Sequence, residues 1–174
     1  SNVDAARFLA GSILPLIRRE HPGARLTIIG RDPLPAIRDL HDGKGCVVLS
    51  DVEDLTPHFD AASLFVAPIR LGSGTRLKVL EAMVRQKAVV ATSIAAEGLD
   101  VRHGIDLEVA DSPEAFAAAC CALLRDSDRR RGLAASGRKR VLERYLWSHL
   151  LEKVEAVISE GPQRILERRP STEN

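Results

Sequence analysis

The chain has 174 residues, a formal net charge of +1, 45% hydrophobic and 28% charged residues. That length holds one domain with a sizeable core and is short for two, and the balanced charge offers no broad basic surface for nucleic acid or a membrane. No apolar run reaches membrane-spanning length, no signal-peptide pattern is present, and Cys46, Cys120 and Cys121 fall at no metal-ligand spacing, so they read as buried thiols of a reducing, cytoplasmic compartment.

In chain order, Asn2 caps a first helix whose apolar stripe is Phe8, Leu9, Ile13, Leu16 and Ile17, and Pro15 should kink or break it because its ring opposes the carbonyl of Gly11. Pro22-Gly23 ends that element, and Arg25 to Gly30 reads as a buried strand. A weak helix over Leu34 to His41 and a turn at Gly43-Lys44-Gly45 lead into a second strand, Cys46 to Leu49. Leu55 to Ala62 reads as a short helix with Pro57 near its start, and Leu64 to Ala67 as the third strand. A helix over Arg76 to Gln86, strands at Ala88 to Ala91 and Leu107 to Ala110, and a turn or loop over Ser93 to Leu99 follow. Ser112-Pro113-Glu114 is a helix start with Phe116, Cys120, Leu123 and Leu124 as its stripe, and Ser127-Asp128 opens another helix carrying Leu133, Val141 and Tyr145. A last amphipathic segment runs from Trp147 to Ile158, and residues 161–174 carry too little apolar surface to order themselves, which divides the chain into a domain over 1–160 and a disordered tail. Strands alternating with helices predict a Rossmann-like α/β domain, three layers with a mainly parallel sheet, whose ligands sit outside the carboxyl ends of the strands.

One stretch concentrates chemistry. Leu71-Gly72-Ser73-Gly74-Thr75 leaves the third strand and enters a helix, so glycines permit a close backbone approach and the first amide groups of the helix face an anion. Arg76 and Lys78 add positive charge, and Ser73 or Thr75 can cap the helix or donate a hydroxyl. The plain alternative is an ordinary strand-to-helix turn with a solvated face of Lys78, Glu81 and Arg85.

The ordered blocks NVDAARFLAGSILPLIRREHPGARLTIIGRDP, VEDLTPHFDAASLFVAP, PIRLGSGTRLKVLEAM, VVATSIAAEGL and VADSPEAFA resemble the carboxyl-terminal, donor-binding domain of a GT-B fold retaining glycosyltransferase of the group 1, family 4 type, over residues 2 to 150. The resemblance implies a hexosyltransferase acting in cell-envelope polysaccharide synthesis, with a nucleotide-diphosphate sugar as substrate and neither cofactor nor metal. It places the diphosphate against the backbone amides of Gly74 and Thr75 with Lys78 or Arg70 neutralising it, counts Gly72 and Ser73 among the donor-binding residues, and puts the ribose hydroxyls on Glu81 and the nucleobase near Asp51 and Val52. It also marks departures. The first glutamate of the family's Glu, seven residues, Glu pair falls on Ser73, the glycine before Val52's block reads Ser50, and the Gly-x-Pro ahead of the fourth strand reads Gln86-Lys87-Ala88.

The family's first central strand would precede Ser1, which leaves a gap between the strands at Arg25 to Gly30 and Leu64 to Ala67. Either those two strands pair directly, or the exposed edges take an intermolecular contact such as a homo-oligomer. The partner implied besides the sugar nucleotide is the amino-terminal, acceptor-binding domain, without which no complete catalytic set exists in the chain. His21, His41, His58, His103 and His149 are scattered and read as surface or capping residues. A sugar-nucleotide epimerase half keeps the same architecture. A receiver-like regulatory domain would use Asp51 as phosphoacceptor and Thr92 as switch hydroxyl, but the acidic pair and the closing lysine it needs are absent. The basic run from Arg125 to Arg144 reads as a solvated helix face; membrane contact has no support from aromatic interleaving.

Overall fold

The computed structural model describes residues 2–72 and 76–145. The chain opens with helix α1, Asn2–Phe8, passes through a π-helical turn at Leu9–Ile13 and continues as α2, Leu14–Glu20. Pro15 is the cause expected: lacking an N-H and opposing the Gly11 carbonyl, it is accommodated by one widened turn, so the helix is interrupted but not ended.

Strand β1, Leu26–Gly30, pairs in parallel with β2, Cys46–Ser50. The helix between them, α3, is only Pro35–Arg38, shorter than the Leu34 to His41 segment the sequence suggests. Beyond Arg38 the chain tightens into three-residue turns, Leu40 donating to Ile37 O and His41 to Arg38 O, and the Asp42 carboxylate then collects the amides of Lys44, Gly45 and Cys46 at 2.6 to 2.9 Å. Helix α4, Thr56–Ala61, precedes β3, Leu64–Ala67, and α5, Leu77–Val84, precedes β4, Ala88–Ala91. Helix α6, Ser93–Ala96, is a single turn, β5 is reduced to Glu108–Val109, and α7, Pro113–Arg125, and α8, Ser127–Tyr145, complete the described chain. The predicted cap is present: Ser112 Oγ accepts from the Ala115 amide at 3.1 Å.

Strand β4 organises the core because its side chains alternate between two layers. Ala88 and Val90 join Phe8, Leu9, Ile13, Ile17, Phe116, Cys120 and Leu123 from α1, the π turn, α2 and α7. Val89 and Ala91 point the other way, toward Val79, Ala82, Met83, Ala95 and Val141 from α5, α6 and α8. Both faces of the strand are therefore covered, as a parallel α/β sheet requires. Cys46, Cys120 and Cys121 are buried free thiols, and burial pushes the Cys120 thiol up to about 12.

The parallel strands form two sheets, β1-β2 and β3-β4-β5. Leu26 donates to Gly45 O and Gly30 O accepts from Asp51, so Thr27 and Ile29 turn their main-chain groups away from β2. Ala67 O accepts from Thr92, so Leu64 and Val66 turn theirs away from β4. The direct β1–β3 pairing, one of the two expected outcomes, is not formed among the described residues. Ile28 and Val48 nevertheless pack on the same cluster as Leu64 and Val66, so among the described residues the two sheets are joined by side-chain packing. The segment Trp147 to Ile158 and the 161–174 tail lie outside the described residues, and none of the described helices is long and apolar enough to cross a membrane.

Candidate functional site

The carboxyl end of β3 delivers the chain into the glycine-rich stretch. Thr92, buried at the end of β4, donates its hydroxyl to Ile69 O and accepts from the Ala95 amide at 3.2 Å, which fixes the exit of β3 against the start of α6. Gly72 then adopts φ 111°, a backbone angle that glycine accepts and a β-carbon opposes. Ser73, Gly74 and Thr75 lie outside the described residues. The chain re-enters at Arg76, which precedes the first residue of α5 and pairs through Nη2 with Glu97 Oε2 at 3.2 Å.

Arg70 lies at this end of the sheet, but its guanidinium is already engaged. Nε and Nη2 donate to the two carboxylate oxygens of Asp4 at 3.1 and 2.6 Å, and the group sits 4.0 Å from the centre of the Phe8 ring. This is the bidentate fork that suits arginine, and the hydrogen bond from Arg70 holds the Asp4 carboxyl below the usual carboxylate range. Two of the guanidinium's five donors are thereby taken by Asp4. Lys78 is exposed on α5.

Glu81 stands half-buried on α5, one turn before Arg85. Arg85 Nε donates to Glu81 Oε1 at 3.1 Å, Arg85 Nη1 donates to Thr56 Oγ1 at 3.3 Å, and the guanidinium lies 4.7 Å from the Phe59 ring centre. Thr56 in turn donates its amide to Asp54 Oδ1 at 2.8 Å. The hydroxyl and amide of Thr56 hold the Asp54 carboxyl below its usual range. These contacts tie Glu81, through Arg85, to Thr56 at the start of α4; Asp51 and Val52 lie in the connection just before it. Asp51 takes φ 53° and donates its amide to Gly30 O, so the chain turns sharply there with the Asp51 side chain exposed.

The structure thus ties Arg70 to α1 and ties Glu81, through Arg85, to the start of α4, while Asp51 and Val52 follow β2 and residues 73–75 lie outside the described chain. Sequence reasoning missed Asp4 and Thr92 as the residues that fix Arg70 and Ile69, and undervalued Arg85. Arg85 was readable, since it stands four residues beyond Glu81 on the helix. Asp4 was not, because 66 residues separate it from Arg70.

Other candidates fall away. The Thr92 hydroxyl is consumed inside the fold, which removes the switch group that a receiver-like reading requires. His41 and His103 accept backbone amides of Val48 and Val109 through Nδ1 at 3.1 and 2.9 Å, which are structural roles. The α8 arginines are only partly a solvated face, since Arg129 pairs with Glu108, Arg140 with Asp100, and Arg144 with Asp100 at 3.1 Å. Among the described residues no three His, Cys, Asp or Glu side chains group as metal ligands.

A family model described as glycosyl transferases group 1 matches residues 1–126. The chain is 29% identical over 125 residues to an uncharacterized 44.6 kDa protein in the cps region of Klebsiella pneumoniae, covering 67% of this chain and 32% of that protein. Among solved structures it is similar to sucrose-phosphate synthase from Thermosynechococcus elongatus, with TM-score 0.73, 17% identity, and coverage of 92% of this chain and 43% of that one. It is also similar to Anabaena HepE in complex with UDP and glucose, with TM-score 0.71, 14% identity, and coverage of 84% and 43%. Identities this low carry the fold alone, and the chain spans about a third of the curated relative and under half of each of these two structures.

Proposed function

The chain belongs to the group 1 glycosyl transferases, and from that membership we propose that it is the donor-binding part of an enzyme that transfers a sugar from a nucleotide-diphosphate sugar to an acceptor with retention at the anomeric carbon. The observation that supports the reading is the Glu81–Arg85–Thr56 chain, which ties the carboxylate assigned to the ribose to the first residue of α4, the helix that follows the segment assigned to the base. In this reading Arg70, at the other end of the glycine-rich stretch, serves the diphosphate. The carboxylate of Glu81 can accept from both vicinal ribose hydroxyls, and Arg70 meets the diphosphate with the donors that Asp4 leaves over. Gly72, Ser73, Gly74 and Thr75 complete the diphosphate cradle in this reading, and Lys78 adds charge beside it. Asp51 and Val52 flank the base, bound in part through their backbone groups. The transferred sugar belongs to the hexose class, and no metal is required where helix amides and arginine meet the charge.

Transfer needs an acceptor-binding half beyond these residues. The structure found with UDP and glucose concerns a protein that extends well past the matched region. In this reading the chain alone binds donor and does not turn it over.

The test is a thermal-shift and calorimetric panel with UDP, GDP and ADP. One nucleoside diphosphate should raise the melting temperature with the logarithm of one plus its concentration over Kd, and Glu81→Ala should weaken that binding about ten- to hundredfold with the melting temperature of the free chain unchanged, because a lost bond to a charged group removes roughly 1.5 to 3 kcal/mol. Equal affinity in wild type and variant would remove Glu81 from the site.

A further inference from the structure

Glu81 and Arg85 alone would be an unremarkable pair on a helix surface, too loosely held to set the direction of a carboxylate. What surrounds them changes that. The Arg85 guanidinium is fixed from three sides, by Glu81 Oε1 at 3.1 Å, by Thr56 Oγ1 at 3.3 Å and by the Phe59 ring at 4.7 Å. Each of those supports is itself anchored. The Thr56 amide is bonded to Asp54, and Phe59 stacks on Phe65 of β3 with centroids 6.0 Å apart and planes 14° from parallel. A planar guanidinium gripped by a hydroxyl and laid on a ring has little rotamer freedom left, and it passes that restriction to the one carboxylate oxygen it holds.

We propose that Arg85 is the positioning residue for ribose recognition: by holding Oε1 of Glu81 it turns Oε2 and the second lone pair of Oε1 toward the vicinal hydroxyls of a nucleoside diphosphate. The inference rests on the donor-binding reading above. It adds that discrimination between ribose and deoxyribose depends on a residue which never touches the ligand. It also ties the ribose receptor to the start of α4 through Thr56.

The experiment uses the full 174-residue chain and calorimetric Kd values for UDP, GDP and ADP, each with its 2′-deoxy counterpart, and for inorganic pyrophosphate. The proteins are wild type, Glu81→Gln, Arg85→Met, Arg85→Lys and Thr56→Val, each checked for an unchanged melting temperature. Arg85→Met keeps an apolar stem over Phe59 and removes every donor. Wild type should prefer the ribose form of its nucleotide about tenfold or more, and Arg85→Met should reduce that ratio to within about threefold while pyrophosphate affinity stays the same. Arg85→Lys should recover part of the ratio and Thr56→Val should lose part of it.

If Glu81→Gln loses the ratio and Arg85→Met keeps it, the positioning role is wrong and the donor-binding reading stands. A fall in affinity that is equal for ribose, deoxyribose and pyrophosphate would assign Arg85 a merely structural part and overturn the proposal. Wild-type protein that binds none of the three nucleotides, or binds ribose and deoxyribose forms equally, overturns the reading and the inference together.

Discussion

At Asp106 a carboxylate stands where almost no solvent reaches, with 1% of the residue exposed. Arg102 donates to it from Nε, Nη2 and its own amide at 2.8 to 3.0 Å, and Ser136 Oγ donates at 2.8 Å. These bonds, the Arg102 side chain foremost, outweigh burial and lower the Asp106 carboxyl from 3.8 to about 2. A depressed carboxylate stabilises the fold above its unfolded value and loses that contribution as pH falls through the folded one. Asp106 should therefore supply roughly 2 kcal/mol at neutral pH that disappears between about pH 5 and pH 2. Urea titrations across that range should show a steep decline for wild type and a shallower one for Asp106→Asn, which begins lower at pH 7. Parallel slopes would count against the assignment. Individual residues were the scale at which the sequence was least legible. Glu81 and Arg70 could be singled out by position beside a glycine loop, but that Asp4 clasps Arg70, or that Arg140 and Arg144 clasp Asp100, depends on side chains brought together by tertiary packing. No local pattern encodes those distances.

Elements were more legible because periodicity and punctuation are local. Strands β3 and β4 and the start of α7 fall where apolar runs and Ser-Pro-Glu put them, and Pro15 disturbs the first helix one turn from the carbonyl it opposes. The end of α5 is more instructive. Gln86 takes φ 56°, its amide bonds Met83 O and the Lys87 amide bonds Ala82 O, both at 2.9 Å. This is the helix-ending geometry for which glycine is preferred, so the residue that departs from the family's Gly-x-Pro still obeys the backbone that glycine would adopt. Gln86→Gly should stabilise the chain by about 0.5 to 1 kcal/mol, relief of left-handed strain exceeding the added freedom of the unfolded chain, and should raise the melting temperature by roughly 1 to 4 °C. A lower melting temperature would mean that the Gln86 side chain makes a compensating contact. Helix α8 has the converse constraint: a β-carbon on Gly137 would lie 2.5 Å from Asp106 O, so only glycine lets that helix approach the loop that carries Asp106.

At the scale of the whole molecule, alternation of strand and helix signals correctly gave a parallel α/β architecture, and the resemblance gave the family. It also anticipated a gap between β1 and β3, although the strands do not close it by pairing. Whether a gap closes depends on how far apart packing holds two edges, which composition and periodicity do not report. The main-chain groups of Thr27, Ile29, Leu64 and Val66 that face away from their own sheets should exchange hydrogen for deuterium faster than those of Val90, which is paired in the interior of β3-β4-β5. Equal protection on both would show that something covers the seam in solution. The same edges make association through strand pairing the expected behaviour as concentration rises, and exchange at the four residues should slow in parallel with it. The feature has a mechanical corollary. Ladders of hydrogen bonds resist shear, whereas interdigitated methyl groups slide; a pulling force applied between residues 26–30 and 64–67 would part the molecule along that line first, with each half still zipped within itself.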